Sequence, residues 1–117
     1  MQVKIYHNPR CSKSRQTLEL LRQRGIEPEI IEYLQNPPDA GTLRAIIDML
    51  QIRPRQLLRT GETEYQVLGL DADECDDQRI IDAMVEHPRL IERPIVVAGG
   101  KARLGRPPER VTEIIGG

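Results

Sequence analysis

The chain of 117 residues is long enough for one hydrophobic core and too short for two, so residues 1–117 are read as a single domain. It contains no Trp and no Phe, which leaves aliphatic side chains to build the core, and its two cysteines exclude a disulfide framework. The sequence begins directly on a strand pattern with no apolar signal segment. No run nears the ~18 residues that a membrane span needs, so no membrane association and a cytoplasmic, reducing setting are expected.

The net charge of −1 says little by itself; its distribution says more. Residues 1–24 carry six cations (Lys4, Arg10, Lys13, Arg15, Arg22, Arg24) against Glu19. Residues 62–77 carry seven acids and no cation. Residues 89–110 carry Arg89, Arg93, Lys101, Arg103, Arg106 and Arg110 against Glu92 and Glu109. Two basic ends that met in space would form a local anion site on a nearly neutral chain. A nucleic-acid surface needs a larger basic excess and more stacking aromatics than Tyr6, Tyr33 and Tyr65, so no nucleic-acid partner is expected.

In chain order, residues 2–6 alternate as a short strand does. Asn8-Pro9 marks a turn, and a helix starts near Cys11 or Ser12 and runs to Gly25, a residue suited to the positive φ past a helix end. Ile26 to Tyr33 reads as a second strand, with Pro28 placing its start at an edge. Asn36-Pro37-Pro38-Asp39 feeds a helix to about residue 50, whose Leu43, Ile46, Ile47 and Leu50 form one apolar stripe. Pro54 opens a short helix carrying Leu57 and Leu58 and ending at Arg59.

Residues 60–75 show no period and read as a connecting segment. A helix from about Asp76 carries Ile80, Ile81, Met84 and Val85, and His87-Pro88 ends it. Ile95-Val96-Val97 is a β-branched strand, joined through a Gly99-Gly100 hairpin turn to Lys101–Leu104. Pro107-Pro108 starts a last helix with Val111, Ile114 and Ile115 inward. This order is a βαβ unit, a helical insertion in the middle of the chain, then a ββα unit. It predicts an α/β, thioredoxin-like fold: a mixed four-stranded sheet flanked by helices. In that layout the first helix N-terminus approaches the start of the third strand, where Pro94 is the candidate cis proline.

Cys11 is the central candidate. The thiolate is the nucleophilic form of cysteine, and a helix N-terminus with nearby cations lowers a thiol pKa from about 8.5 into the ~3.5–7.5 range. The same free N–H groups make a pocket for a tetrahedral oxyanion. The alternative is a buried thiol that packs as a small hydrophobe. Ser14, one helical turn on, can donate a hydrogen bond to the sulfur. Because Ser14 is not a second cysteine, a disulfide formed at Cys11 must be resolved by an outside thiol.

His7 can orient the thiol, carry a charge near it, or simply end a strand bonded to loop backbone. Cys75 is a poor nucleophile because Asp73, Glu74, Asp76 and Asp77 oppose its ionisation. His7, Cys11, Cys75 and His87 show no metal-ligand spacing, so no metal is expected. Arg59, Arg93 and Arg106 stand at element ends, and guanidinium groups suit bidentate binding of tetrahedral oxyanions.

Four spaced segments, His7-Asn8-Pro9-x-Cys11-x-x-Ser14-Arg15, Leu57-Leu58-Arg59, Arg93-Pro94-Ile95-Val96-Val97 and Arg103-Leu104-Gly105-Arg106-Pro107, resemble the glutaredoxin-coupled arsenate reductases, the ArsC family. Asn36-Pro37-Pro38 and Leu68-Gly69-Leu70 also look like family positions, and the likeness spans essentially the whole chain. The resemblance implies an oxidoreductase of arsenical resistance in which Cys11 attacks arsenate held by Arg59, Arg93 and Arg106. His7 and Ser14 would help lower the Cys11 pKa. Glutathione would act as co-substrate and glutaredoxin as the partner that accepts the mixed disulfide, with arsenite released and no cofactor bound. Two departures are a C-terminus that stops at Gly117 and Gly105 where some members carry cysteine. The alternatives are a glutathione-dependent thiol reductase of another substrate and a non-catalytic regulator of the Spx type. Spx proteins typically show Cys-x-x-Cys, against which Ser14 argues.

Overall fold

The computed structural model describes residues 2–72 and 74–116. The chain folds as two compact units, Met1–Asn36 with Arg93–Gly117, and Pro37–Glu92. Apart from Arg89, the cations of the two basic ends thus belong to one unit.

That first unit is built on a four-stranded sheet in the order β2-β1-β3-β4. Strand β1 (Val3–Tyr6) runs parallel to β2 (Glu29–Ile31) and antiparallel to β3 (Ile95–Ala98), which pairs with β4 (Lys101–Leu104). Helix α1 (Ser12–Gln23) makes the crossover that a parallel β1–β2 pair requires. The βαβ and ββα halves are therefore as the sequence pattern predicts, and the fold is the thioredoxin-like α/β arrangement. Ile5 stands opposite both Ile30 and Val96, which fixes the register. Val3, Ile5, Val96 and Ala98 form one core with Leu18 and Leu21 of α1 and with Val111, Ile114 and Ile115. Alternation along the strands and the i, i+3, i+4, i+7 spacing of Ser14, Thr17, Leu18 and Leu21 put these residues on the buried faces.

Three details of this unit differ from the sequence pattern. Strand β2 covers only Glu29–Ile31 rather than residues 26–33. Pro28 lacks an N–H at its start, and beyond it the Glu32 carbonyl accepts from the N–H groups of Gln35 and Asn36, which turns the chain off the sheet. The last helix is a 3₁₀ helix, Pro108–Glu113, closed by bonds such as Arg110 N–H to the Pro107 carbonyl. Both Arg93-Pro94 and Arg106-Pro107 are cis, where the sequence reading singled out only Pro94. The hairpin turn uses positive φ at both Gly99 and Gly100 (57° and 77°), the backbone that only glycine adopts freely in succession.

The second unit is helical. Asp39 caps α2 (Ala40–Leu50) by accepting from Thr42 N–H at 2.7 Å, and Leu43, Ile46, Ile47 and Leu50 are buried as the stripe predicts. Asp76 caps α4 (Asp77–Glu86) in the same way through Arg79 N–H at 2.8 Å. Residues 60–75 contain a five-residue helix, α3 (Thr63–Val67), that the sequence did not signal, and Pro88–Leu90 form a 3₁₀ turn. Arg55 organises the loop after α3 by donating to the carbonyls of Leu70, Ala72 and Cys75. An isolated bridge between Leu58 and Ile91 is extended by Arg59 N–H to the Leu90 carbonyl (2.8 Å) and Glu92 N–H to the Leu57 carbonyl (2.9 Å). No described helix is long and apolar enough to cross a membrane.

Candidate functional site

The loop between β1 and α1 is fixed by its own polar groups. His7 N–H donates to the Ile31 carbonyl at 2.8 Å, holding the end of β1 to β2. Asn8 makes an Asx turn, its Oδ1 accepting from Arg10 N–H at 3.0 Å, and its carbonyl accepts from Cys11 N–H at 3.0 Å. Arg15 Nη1 donates to the Pro9 carbonyl at 3.0 Å, so the first turn of α1 clamps the loop that precedes it. Cys11 is the N-cap residue, extended at φ −92° and ψ 123°, and is buried.

Burial pushes the Cys11 thiol up, as low dielectric disfavours its anion. Four influences oppose burial and outweigh it: the Ser14 N–H as donor, the Arg93 charge, the Lys13 N–H, and the Arg93 side chain as donor. The thiol pKa lies below its ordinary value in consequence. Helix terminus and guanidinium thus act on the same atom, both favouring the anionic form.

Ser14 and His7 stand in a different relation from the one read in the sequence. Ser14 is fully buried, and its Oγ lies 2.6 Å from His7 Nδ1 while accepting from Asn8 N–H at 3.0 Å. The hydroxyl therefore ties strand end, loop and helix together, and Ser14 acts on the sulfur through its backbone N–H. Burial lowers the His7 pKa, with Glu32 opposing and Arg22 and Arg15 reinforcing the shift. The shift disfavours the charged form of the ring, and Nδ1 is engaged with the Ser14 hydroxyl.

Arg93 and Arg106 belong to the same unit as Cys11. Arg106 Nη1 donates to the Arg93 carbonyl at 3.1 Å, and Gly105 N–H donates to the Pro94 carbonyl at 2.9 Å. The two cis proline junctions are thereby cross-tied, with the chain before Pro94 against the chain before Pro107. Gly105 has no room for a side chain: a Cβ would meet the Thr17 side chain of α1 and lie 2.8 Å from Pro94 Cγ. Thr17 Oγ1 in turn donates to the Lys13 carbonyl at 2.8 Å, within the turn that faces Cys11. The roles of Gly105, Thr17 and the Lys13 N–H are not visible in the sequence, because each depends on a non-local approach.

Arg59 belongs to the other unit. There its Nη1 donates to Glu62 Oε1 at 2.7 Å, and its Nε lies 3.9 Å from Glu92 Oε1. Cys75 also belongs to that unit; it is partly exposed, and Glu74, Asp76 and Asp77 flank it in sequence. Asp73, the remaining acid of that cluster, lies outside the described residues.

Comparison with known proteins covers almost all of the chain. The pattern that defines the ArsC family matches residues 6–114. The chain is 55% identical to the uncharacterised protein YfgD of Escherichia coli K12, over 98% of both chains. It is 48% identical to the arsenate reductase of Haemophilus influenzae, over 98% of this chain and 100% of that one. Among solved structures, the arsenate reductase from Vibrio cholerae superposes with a TM-score of 0.96 at 48% identity, covering 98% of each chain.

Proposed function

The chain belongs to the ArsC family, and from that premise we propose that it is an arsenate reductase whose nucleophile is Cys11. The observation that carries this reading is the Cys11 sulfur itself: a buried thiol held low by the Ser14 and Lys13 N–H groups and by Arg93, with serine where a resolving cysteine would stand. In this reading the thiolate attacks arsenic, forming a Cys11–S–As bond and releasing hydroxide, which leaves as water after protonation. The N–H groups and Arg93 receive negative charge that develops on the oxyanion. Arg93 and Arg106 hold the anion from the sheet unit, and the resemblance adds Arg59 as a third guanidinium.

Glutathione then joins as co-substrate. Its thiolate forms a disulfide with the Cys11 sulfur as the sulfur–arsenic bond breaks, and that electron pair reduces As(V) to As(III), released as arsenite. Glutaredoxin takes the glutathionyl group and restores the Cys11 thiol. Arsenate and phosphate are near-isosteric, so arginines bind both; selectivity lies in the redox step, since thiols reduce As(V) and not phosphate.

The test is NADPH oxidation in a mixture of glutathione, glutathione reductase and glutaredoxin. The reading predicts a rate that requires arsenate and is lost in Cys11→Ser. An arsenate-independent rate toward a small mixed disulfide, with none gained on adding arsenate, would instead assign a thiol reductase of another substrate. Absence of both rates would favour a binding role.

A further inference from the structure

Arg59 is already engaged by carboxylates of its own unit. Glu62 Oε1 accepts from Nη1 at 2.7 Å, and Glu92 Oε1 lies 3.9 Å from Nε. A guanidinium offers two bidentate edges, one made by both Nη groups and one by Nε with an Nη. A carboxylate meets a donor of each edge. The Glu62 side chain is only 15% exposed, so water screens this pair incompletely.

Glu62 is also held from its other oxygen. Its Oε2 accepts from Arg89 Nη2 at 3.2 Å, and Arg89 Nη1 lies 3.9 Å from Glu64 Oε2. Glu62 thus stands between two guanidiniums, and its negative charge opposes an oxyanion approaching Arg59. The second hold matters for displacement. If an anion took Arg59 from Glu62, Arg89 would still pair Glu62, and no buried charge would be stranded.

We infer that Glu62 is an internal competitor for the oxyanion at Arg59, and so a residue that sets oxyanion affinity. The inference rests on the reading of Arg59 as an oxyanion-binding residue, and the experiment separates the two. The probes are arsenate in the coupled assay and inorganic phosphate, both as inhibitor and in calorimetric titration. Glu62→Gln keeps an acceptor oxygen for Arg59 and Arg89 and removes the charge. The arsenate KM and the phosphate dissociation constant should both fall about five-fold, the scale of one part-exposed ion pair, with kcat nearly unchanged.

Unchanged or weaker phosphate binding in a folded Glu62→Gln protein would overturn the inference and make Glu62 a group that merely positions Arg59. Arg59→Ala is the control for the underlying reading. If it leaves phosphate affinity intact, the role of Arg59 itself fails. If it weakens phosphate while Glu62→Gln does not tighten it, only the competition fails.

Discussion

At Cys11 burial raises the thiol pKa, and backbone donors and one guanidinium more than cancel that rise. Arg93 acts both as charge and as donor, so Arg93→Ala should move the midpoint of Cys11 alkylation, followed against pH with iodoacetamide, up toward that of an ordinary cysteine. Ser14→Ala should behave differently, because the serine hydroxyl serves His7 and Asn8 while its N–H serves the sulfur. Leaving the buried His7 ring nitrogen and the part-buried Asn8 N–H without this partner costs about 1–3 kcal/mol of stability by denaturant titration. The alkylation midpoint should shift less than in Arg93→Ala. His7 makes stability depend on pH near neutrality. Its folded pKa lies below the ordinary 6.5, so the folded state resists protonation. Its contribution is fully present above about pH 6.5 and is lost as pH falls through the folded value. The denaturant midpoint should therefore drop between pH 7 and pH 5 more in the native sequence than in His7→Asn.

At the scale of elements, legibility followed burial. Helices α1, α2 and α4 were readable because each buries a stripe at helical spacing, and Leu21, fully buried in α1, shows what that stripe contributes. Leu21→Ala should cost about 2–5 kcal/mol, measured as a lowered denaturant midpoint with an unchanged slope. Helix α3 was unreadable for the converse reason: none of its residues is buried and Val67 is 76% exposed, so no period marks it. Strand β2 is shorter than its apolar pattern suggests because Pro28 stops pairing at one end and the turn closed on the Glu32 carbonyl stops it at the other, and as an edge strand it leaves Ile30 39% exposed. At the site, the place of Cys11 at a helix N-terminus is legible from turn and cap signals along the chain, and the cis bond at Pro94 only through the thioredoxin-like layout that puts it opposite that terminus. The Glu62 pairing of Arg59 was not, since it falls in the segment without a pattern, and the Gly105 contact joins residues distant in sequence.

At the scale of the whole chain, a net charge of −1 conceals a separation. The cations of residues 1–24 and 93–110 share the sheet unit with Cys11, and the acids of residues 62–77 lie in the helical unit with Arg59. The ArsC pattern spans residues 6–114 and thus includes residues of both units. The central claim is that Cys11 attacks arsenate and that an external thiol completes the reduction. Intact-mass spectrometry of the chain incubated with glutathione, with and without arsenate and in the absence of glutaredoxin, tests it most directly. The account predicts one glutathione per chain, on Cys11, formed only when arsenate is present and absent from Cys11→Ser. Glutathionylation that ignores arsenate, or that falls on Cys75, would contradict it.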